Sequence, residues 1–290
     1  MNGNRETIEN QRGTFSYLFF QSQIKSYSEY QLDYFFPVIY TQIGIKASKG
    51  DYMFSLGIDS GSTMTKGVLF DGRNVVGCHM LPTSMRPGKI LRDIYSRLYT
   101  EETGFVVSTG YGRELLKEAD AKITEITCHG AGASYLAPGC DTVIDIGGQD
   151  VKVLHIDNGA MTNFQMNDKC AAGTGRFLDV MAGVLEVKVQ DLGHLDSLSK
   201  KRVEISSTCT VFAESEVISQ LSMGTDKCDI IAGIHRSVAH RVTGLAHRIG
   251  VVPALVMTGG VAQNEGVVKA LQNELGCEIH RSPLTQYNGA

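Results

Sequence analysis

The chain has 290 residues, with 27 Lys+Arg against 31 Asp+Glu and a formal net charge of −4. That balance leaves no basic footprint for nucleic acid or an anionic membrane, and 42% hydrophobic with 20% charged residues excludes a disordered polymer. No apolar run reaches the roughly 18 residues of a membrane-spanning helix. Seven cysteines without a CxxC pair are too scattered for a disulfide scaffold, and no secretory pattern opens the chain, so it reads as cytoplasmic with its thiols reduced.

At about 150 residues per domain the length suggests two domains. Residues 1–52 differ in texture from the rest, with Tyr17-Leu18-Phe19-Phe20 and Tyr34-Phe35-Phe36-Pro37 and no clear periodicity, and they read as an appended extension. From Phe54 the pattern turns α/β. Phe54-Ser55-Leu56-Gly57-Ile58 is an apolar strand running into Asp59-Ser60-Gly61-Ser62-Thr63; residues 65–70 form a second strand closed by Asp71-Gly72, and residues 74–77 answer it. Helices are predicted over 87–99 and 112–119. The same grammar then returns. Thr142-Val143-Ile144-Asp145 is a strand, Ile146-Gly147-Gly148-Gln149-Asp150 a loop, and residues 151–156 a strand closed by Asn158-Gly159. Gly72 follows Asp59 by 13 residues and Gly159 follows Asp145 by 14, so the chain reads as two similar halves, 53–140 and 141–290. Further helices are predicted over 176–187, 212–223, 229–248 and 263–275, with a buried strand Leu255-Val256-Met257-Thr258 before Gly259-Gly260-Val261.

Three glycine-rich loops thus follow apolar strands. Glycine lets the backbone approach a ligand and turn its N–H groups toward phosphate oxygens. The first loop adds the hydroxyls of Ser62, Thr63 and Thr65 and the cation Lys66; the second adds Gln149 and Asp150. Asp59 and Asp145 stand at equivalent strand ends, where two carboxylates across a cleft suit Mg2+ beside nucleotide phosphates. One such loop alone is usually just a turn; three in order within a repeat point to nucleotide binding. There is no GxxxxGK[ST] and no GxSxG, which excludes a P-loop and a nucleophile elbow.

Two cysteines share a local frame: Asn167-Asp168-Lys169-Cys170 and Ser206-Ser207-Thr208-Cys209 each run toward a predicted helix, whose N-terminus favours an anionic sulfur. They are 39 residues apart, too far for a compact zinc knuckle. Two thiolates are half of what a 4Fe-4S cluster needs, and a two-fold dimer supplies the other half; the bland alternative is two small buried hydrophobes. Cys78, Cys128, Cys140, Cys228 and Cys277 keep the bland reading. His235, His240 and His247, spaced by five and seven, read as helix surface.

The three loops, as Asp59-Ser60-Gly61-Ser62-Thr63 with Thr65-Lys66, Asp145-Ile146-Gly147-Gly148-Gln149-Asp150 and Met257-Thr258-Gly259-Gly260-Val261, resemble the phosphate and adenosine motifs of the actin/Hsp70/sugar-kinase ATPases. The longer stretches Asn167-Asp168-Lys169-Cys170-Ala171-Ala172-Gly173-Thr174-Gly175-Arg176-Phe177 and Ser206-Ser207-Thr208-Cys209-Thr210-Val211-Phe212-Ala213-Glu214-Ser215-Glu216 are similar to those of the activator components of 2-hydroxyacyl-CoA dehydratases, of the BadF/BadG/BcrA/BcrD type. The resemblance runs from about Phe54 to Ala290 and implies a duplicated α/β actin-like (ribonuclease H-like) ATPase fold, two halves around a nucleotide cleft.

It also implies a cytoplasmic homodimeric ATPase that donates one low-potential electron to its dehydratase, with ferredoxin or flavodoxin as donor and one 4Fe-4S cluster per dimer. Cys170 and Cys209 would be the cluster ligands; Ser62, Thr63, Met64, Thr65, Lys66, Gly147, Gly148, Gln149, Gly259 and Gly260 would hold ATP or ADP; Asp59 and Asp145 would place Mg2+, with Lys66 and Gln149 assisting hydrolysis. A push of roughly 300 mV on one electron needs about 7 kcal/mol, which nucleotide hydrolysis can match. The family pattern continues past Ala290 into a C-terminal helix that helps close the first half. The rival expectation is a sugar or small-metabolite kinase of the same superfamily without a cluster, and phosphorylation of an acceptor would reveal it.

Overall fold

A computed structural model describes residues 54–157, 159–206 and 209–290. The expected extension 1–52, the turn residue Asn158, and Ser207 and Thr208 of the second cysteine stretch lie outside the described residues.

The architecture is α/β and visibly duplicated. The first sheet holds β1 (Phe54–Ser60), β2 (Met64–Phe70), β3 (Val75–Pro82), β4 (Thr103–Gly110) and β5 (Ala121–Lys122), in the order β3-β2-β1-β4-β5. The second holds β6 (Thr142–Ile146), β7 (Val151–Asp157), β8 (Ala160–Asn167), β9 (Leu255–Thr258) and β10 (Ile279–His280), in the order β10-β9-β6-β7-β8. In each, three antiparallel strands come first, and two more strands join the opposite edge in parallel. The register repeats too: Asp59 pairs with Lys66 across β1 and β2, and Asp145 with Lys152 across β6 and β7.

Helix α1 (Pro87–Leu98) opens on a proline, whose fixed φ suits a first helical position, and buries Leu91 and Ile94 against the first sheet with Leu56, Ile58, Leu69 and Val106. Helix α2 (Glu125–Leu136), capped by Thr124, packs on β6, β7 and β8 and also on β4, so it touches both sheets. The larger core lies in the second half, where α3 (Gly175–Val184), α4 (Leu192–Ser197), α5 (Thr210–Ser222), α6 (Lys227–Ala246) and α7 (Glu265–Leu275) pack around Ile144, Val153, Phe177, Met181, Ile234 and Val238.

Several expectations shift. Helix 112–119 reduces to a single turn, Arg113–Leu115, because Leu116 goes extended to reach the core with no exposed surface and Asp120 turns back to accept the Val106 N–H at 2.8 Å. Strand β3 runs on to Pro82, and β4, α2 and α4 were not anticipated. His235 is fully buried rather than on the helix surface, while His240 is exposed.

The last three residues thread between β1 and α2. A methyl group added at Gly132 would land on the carbonyl oxygen of Asn288, and one at Gly57 on the backbone of Ala290. Helix propensity alone would make Gly132→Ala stabilising by about 1 kcal/mol; overpacking reverses the sign and should cost about 1–3 kcal/mol. Urea unfolding midpoints check this, and a raised midpoint contradicts the contact.

Candidate functional site

The first loop leaves β1 at Ser60 and re-enters the sheet at Met64, which exposes Ser62 and Thr63 at its tip. Thr65 is buried; its hydroxyl pairs with that of Thr83 at 2.9 Å, and Thr83 donates to the Gly61 carbonyl at 2.8 Å, which fixes the loop from behind. The second loop, between β6 and β7, is closed by the Gly147 N–H donating to the Asp150 carbonyl at 3.0 Å, with Gln149 exposed at its tip. The two loops converge: a methyl group at Gly148 would strike the Thr63 hydroxyl. The third loop follows β9. Gly259 has φ of +85°, and a side chain there would strike the Ile146 backbone, so only glycine fits. Its N–H donates to Thr285 at 3.0 Å, and Gly260 begins a short 3-10 turn to Gln263.

Beneath the loops lies a buried cluster of charges. Asp59 is 1% exposed; its Oδ2 accepts from Lys66 Nζ at 2.9 Å, while its Oδ1 has no partner. Asp145 is equally buried but surrounded. Thr258 donates to its Oδ1 at 2.7 Å, His129 Nδ1 lies 3.2 Å from the same oxygen, and Lys152 Nζ stands 3.5 Å from Oδ2. Lys152 also reaches Glu125 at 2.8 Å and Asp150 at 2.9 Å. Burial would push the Asp145 carboxyl up, but His129, Lys152 and Thr258 overturn that and hold it well below the usual carboxylate range. Burial likewise works to discharge Lys152, Lys66 and His129, and the facing carboxylates raise all three above their ordinary values, chiefly Asp145 for Lys152 and His129 and Asp59 for Lys66. The two aspartates are therefore not equivalent. Asp59 offers an unused, buried oxygen, and Asp145 is spoken for on both sides.

Glu125, His129 and Lys152 were missed from sequence. Lys152 had a signal, since the seven-residue interval from Asp59 to Lys66 recurs from Asp145 to Lys152. Glu125 and His129 sit one turn apart on α2, on the side that meets this cluster.

The thiols lie in the second half. Cys209 is the N-cap of α5 and half-buried; Cys170 is exposed in the loop after β8, five residues ahead of α3, so it is near a helix start rather than at one. Both cysteines lie near one guanidinium, that of Arg241 on α6, whose pKa burial holds below its ordinary value although the two cysteines offset part of that. The Cys170 loop passes over the same side chain, since a methyl group at Gly173 would lie 3.7 Å from its Cβ. Exposed Val211 and Phe212 follow Cys209 with only Thr210 between. Among the described residues no three His, Cys, Asp or Glu side chains converge as a metal-binding set, and no helix is long and apolar enough to cross a membrane. The second loop is joined to the start of α3, five residues beyond Cys170. The N–H groups of Gly175 and Arg176, which open α3, donate to the carbonyls of Gly147 and Gly148 at 2.9 and 2.8 Å.

Residues 56–290 match the model of the BadF/BadG/BcrA/BcrD ATPase family. The chain belongs to this family. Among its relatives, the (R)-2-hydroxyglutaryl-CoA dehydratase activating ATPase of Acidaminococcus fermentans is 59% identical over 245 residues, covering 82% of this chain and 94% of that protein. The activator of lactoyl-CoA dehydratase of Anaerotignum propionicum is 47% identical over 245 residues, covering 82% and 95%. The crystal structure of the activator of 2-hydroxyisocaproyl-CoA dehydratase from Clostridium difficile, with bound ADPNP, superposes with a TM-score of 0.77 at 49% identity, covering 82% of this chain and 91% of that one. The duplicated actin-like fold expected from sequence is the fold of this family.

Replacing Lys152 with Met keeps the bulk but strands Glu125, Asp145 and Asp150 without their shared counter-charge. The expected cost is about 3–5 kcal/mol of unfolding free energy. The sign of the pH response follows: Asp145 is held low by its cations and stabilises the fold above the ordinary carboxylate range, so removing a cation hurts most near neutrality and the deficit narrows as acid neutralises the carboxylates. Urea titrations at neutral and mildly acidic pH measure both.

Proposed function

We propose that this protein is an ATP-hydrolysing, one-electron activator of a 2-hydroxyacyl-CoA dehydratase, working as a cytoplasmic homodimer with one 4Fe-4S cluster between the protomers and a ferredoxin or flavodoxin as donor. The observation that carries the reading is the pair of hydrogen bonds from Gly175 and Arg176 to Gly147 and Gly148, which hang the Cys170 segment on a phosphate loop. Relatives named as dehydratase activators at 59% and 47% identity favour the same reading.

Mg2+ and the cluster, when bound, respectively neutralise phosphate charge and hold a single transferable electron. The donor sets fit both. Asp59 Oδ1, buried without a partner, suits a metal-bound water. Asp145, saturated by Thr258, His129 and Lys152, acts through its field instead. The hydroxyls of Ser62 and Thr63 at the tip of the first loop, with Met64 and Thr65 behind them and Gly147 and Gly148 of the second loop facing Thr63, embrace the phosphates, while Lys66 meets developing charge. Gly259 and Gly260 admit the adenosine. Gln149, exposed at the loop tip, orients the attacking water; Asp150 is less suited because its carboxylate is tied to Lys152 at 2.9 Å.

Cys170 and Cys209 both lie near Arg241, and Cys209 stands at the N-cap of a 13-residue helix. One chain thus presents two soft ligands, and the exposed Val211 and Phe212 beside them form a face that a second copy would cover.

Anaerobically purified protein should contain about four iron and four sulfide per dimer. Cys170→Ala and Cys209→Ala should each abolish the cluster's visible absorption, whereas Asp59→Asn should keep it and lower ATP turnover by about 10²-fold or more. A full cluster in either cysteine variant sinks the ligand assignment, and unchanged turnover in Asp59→Asn sinks its role. Product formed only with a phosphoryl acceptor would favour the kinase.

A further inference from the structure

His235 lies outside the charged cleft yet is fully buried in the middle of α6. Its Nδ1 is 2.6 Å from Asp196 Oδ2 on α4, and its Nε2 is 3.1 Å from Asn264 Nδ2. Asn264 sets the direction of the network. Its Oδ1 already accepts the N–H groups of Gly266 and Val267 at 3.0 and 3.2 Å, capping α7, so its amide nitrogen faces the ring and donates. Nε2 is therefore the acceptor, and Nδ1 carries the proton given to Asp196. The ring is held in one tautomer with both nitrogens satisfied.

There is no slack around it. A methyl group at Gly266 would strike His235 and Asp196, and one at Gly193 on α4 would come within 3.2 Å of Asn264 Oδ1. Asn264 directly follows the Gly259–Gln263 loop. In the other direction, α6 runs unbroken from His235 to Arg241, six residues and about 9 Å along the axis, and Arg241 underlies the Cys170 loop at Gly173.

We propose that His235 is a positioning residue that couples the adenosine loop to the thiol pair, by locking the N-cap of α7 to the helix that carries Arg241. This rests on the nucleotide and cluster reading given above. A nucleotide that shifts the Gly259–Gln263 loop then moves α6 with it through Asn264, and the far end of α6 meets the cysteines. Asp196 keeps the ring from turning and so transmits the shift instead of absorbing it.

The test uses the anaerobic dimer with its cluster, and reads the rate at which bathophenanthroline disulfonate strips iron in ADP and in a non-hydrolysable ATP analogue. The native rates should differ. His235→Leu keeps the bulk and makes neither hydrogen bond; it should shrink the ratio of the two rates about fivefold while iron content and analogue affinity stay within about twofold. His235→Gln, with one donor and one acceptor, should recover part of the ratio, which a purely structural defect would not predict. If His235→Leu does not fold, Asn264→Ser serves, because serine still caps α7 but has no N–H directed to the ring. Equal native rates, or a native-like ratio in the variants, overturn the coupling. If the native dimer carries no iron, the cluster reading itself has failed, and hydrogen exchange across Lys227–Ala246 becomes the readout: nucleotide-dependent protection lost in the variants supports His235, and protection that survives overturns it.

Discussion

An ionised carboxylate inside a protein is tolerable only with a counter-charge held close. This molecule meets that constraint twice in the same way. Asp59 and Asp145 end the central strands of two sheets, and in each the neighbouring strand returns a lysine to the paired position, Lys66 or Lys152. Above each pair the chain makes a short glycine-containing loop, Gly61–Thr63 or Gly147–Asp150, between the two paired strands.

The two copies have diverged in how much of that charge they keep available. In the first, Lys66 takes one oxygen of Asp59 and leaves the other unpartnered. In the second, α2 supplies Glu125 and His129, and Asp145 is enclosed. The two acids are thus unequal: one carboxylate keeps a buried oxygen without a partner, and the other is surrounded by Thr258, His129 and Lys152. The helix responsible touches both sheets, so the asymmetry is built into the element that joins them. Asn288 extends it, donating to the His129 carbonyl at 3.1 Å, with Gly289 packed beside His129 and Asp59.

Local grammar made much of this readable beforehand. Asp59, Asp145 and the glycine loops declare themselves because a strand, an acid and a tight turn are adjacent in the chain. Cys209 stands as an N-cap, since its neighbours begin a strongly helical stretch. What escaped was non-local. Helix α2 is rich in Gly130, Ala131, Gly132 and Ala133, which erase the amphipathic pattern; Met161 packs against it at Gly130 and Asn288 at Gly132, where a side chain would not fit unchanged. His235 looked like surface because the residues that bury it, on α4 and α7, lie about 30 to 40 positions away in sequence. The false helix at 112–119 had the right composition, but one apolar side chain, Leu116, gains more from the core than from the helical turn. Lys152 alone could have been found, by extending the repeat one residue type further.

The duplication also explains where the chemistry beyond nucleotide binding resides. Between β3 and β4 the first copy has room for little more than α1, residues 83–102; between β8 and β9 the second inserts residues 168–254, with α3 to α6. Cys170, Cys209, His235 and Arg241 all fall within that insertion. It is not an independent module, for its core residues Phe177, Met181, Ile234 and Val238 pack on Ile144 and Val153 of the sheet itself. It is anchored at two points of the nucleotide cleft: at the second loop through Gly175 and Arg176, and at the third through His235 and Asn264. Of the inserted helices, α3 therefore hangs on the second loop and α6 on the third, and α6 carries Arg241 beneath the Cys170 loop.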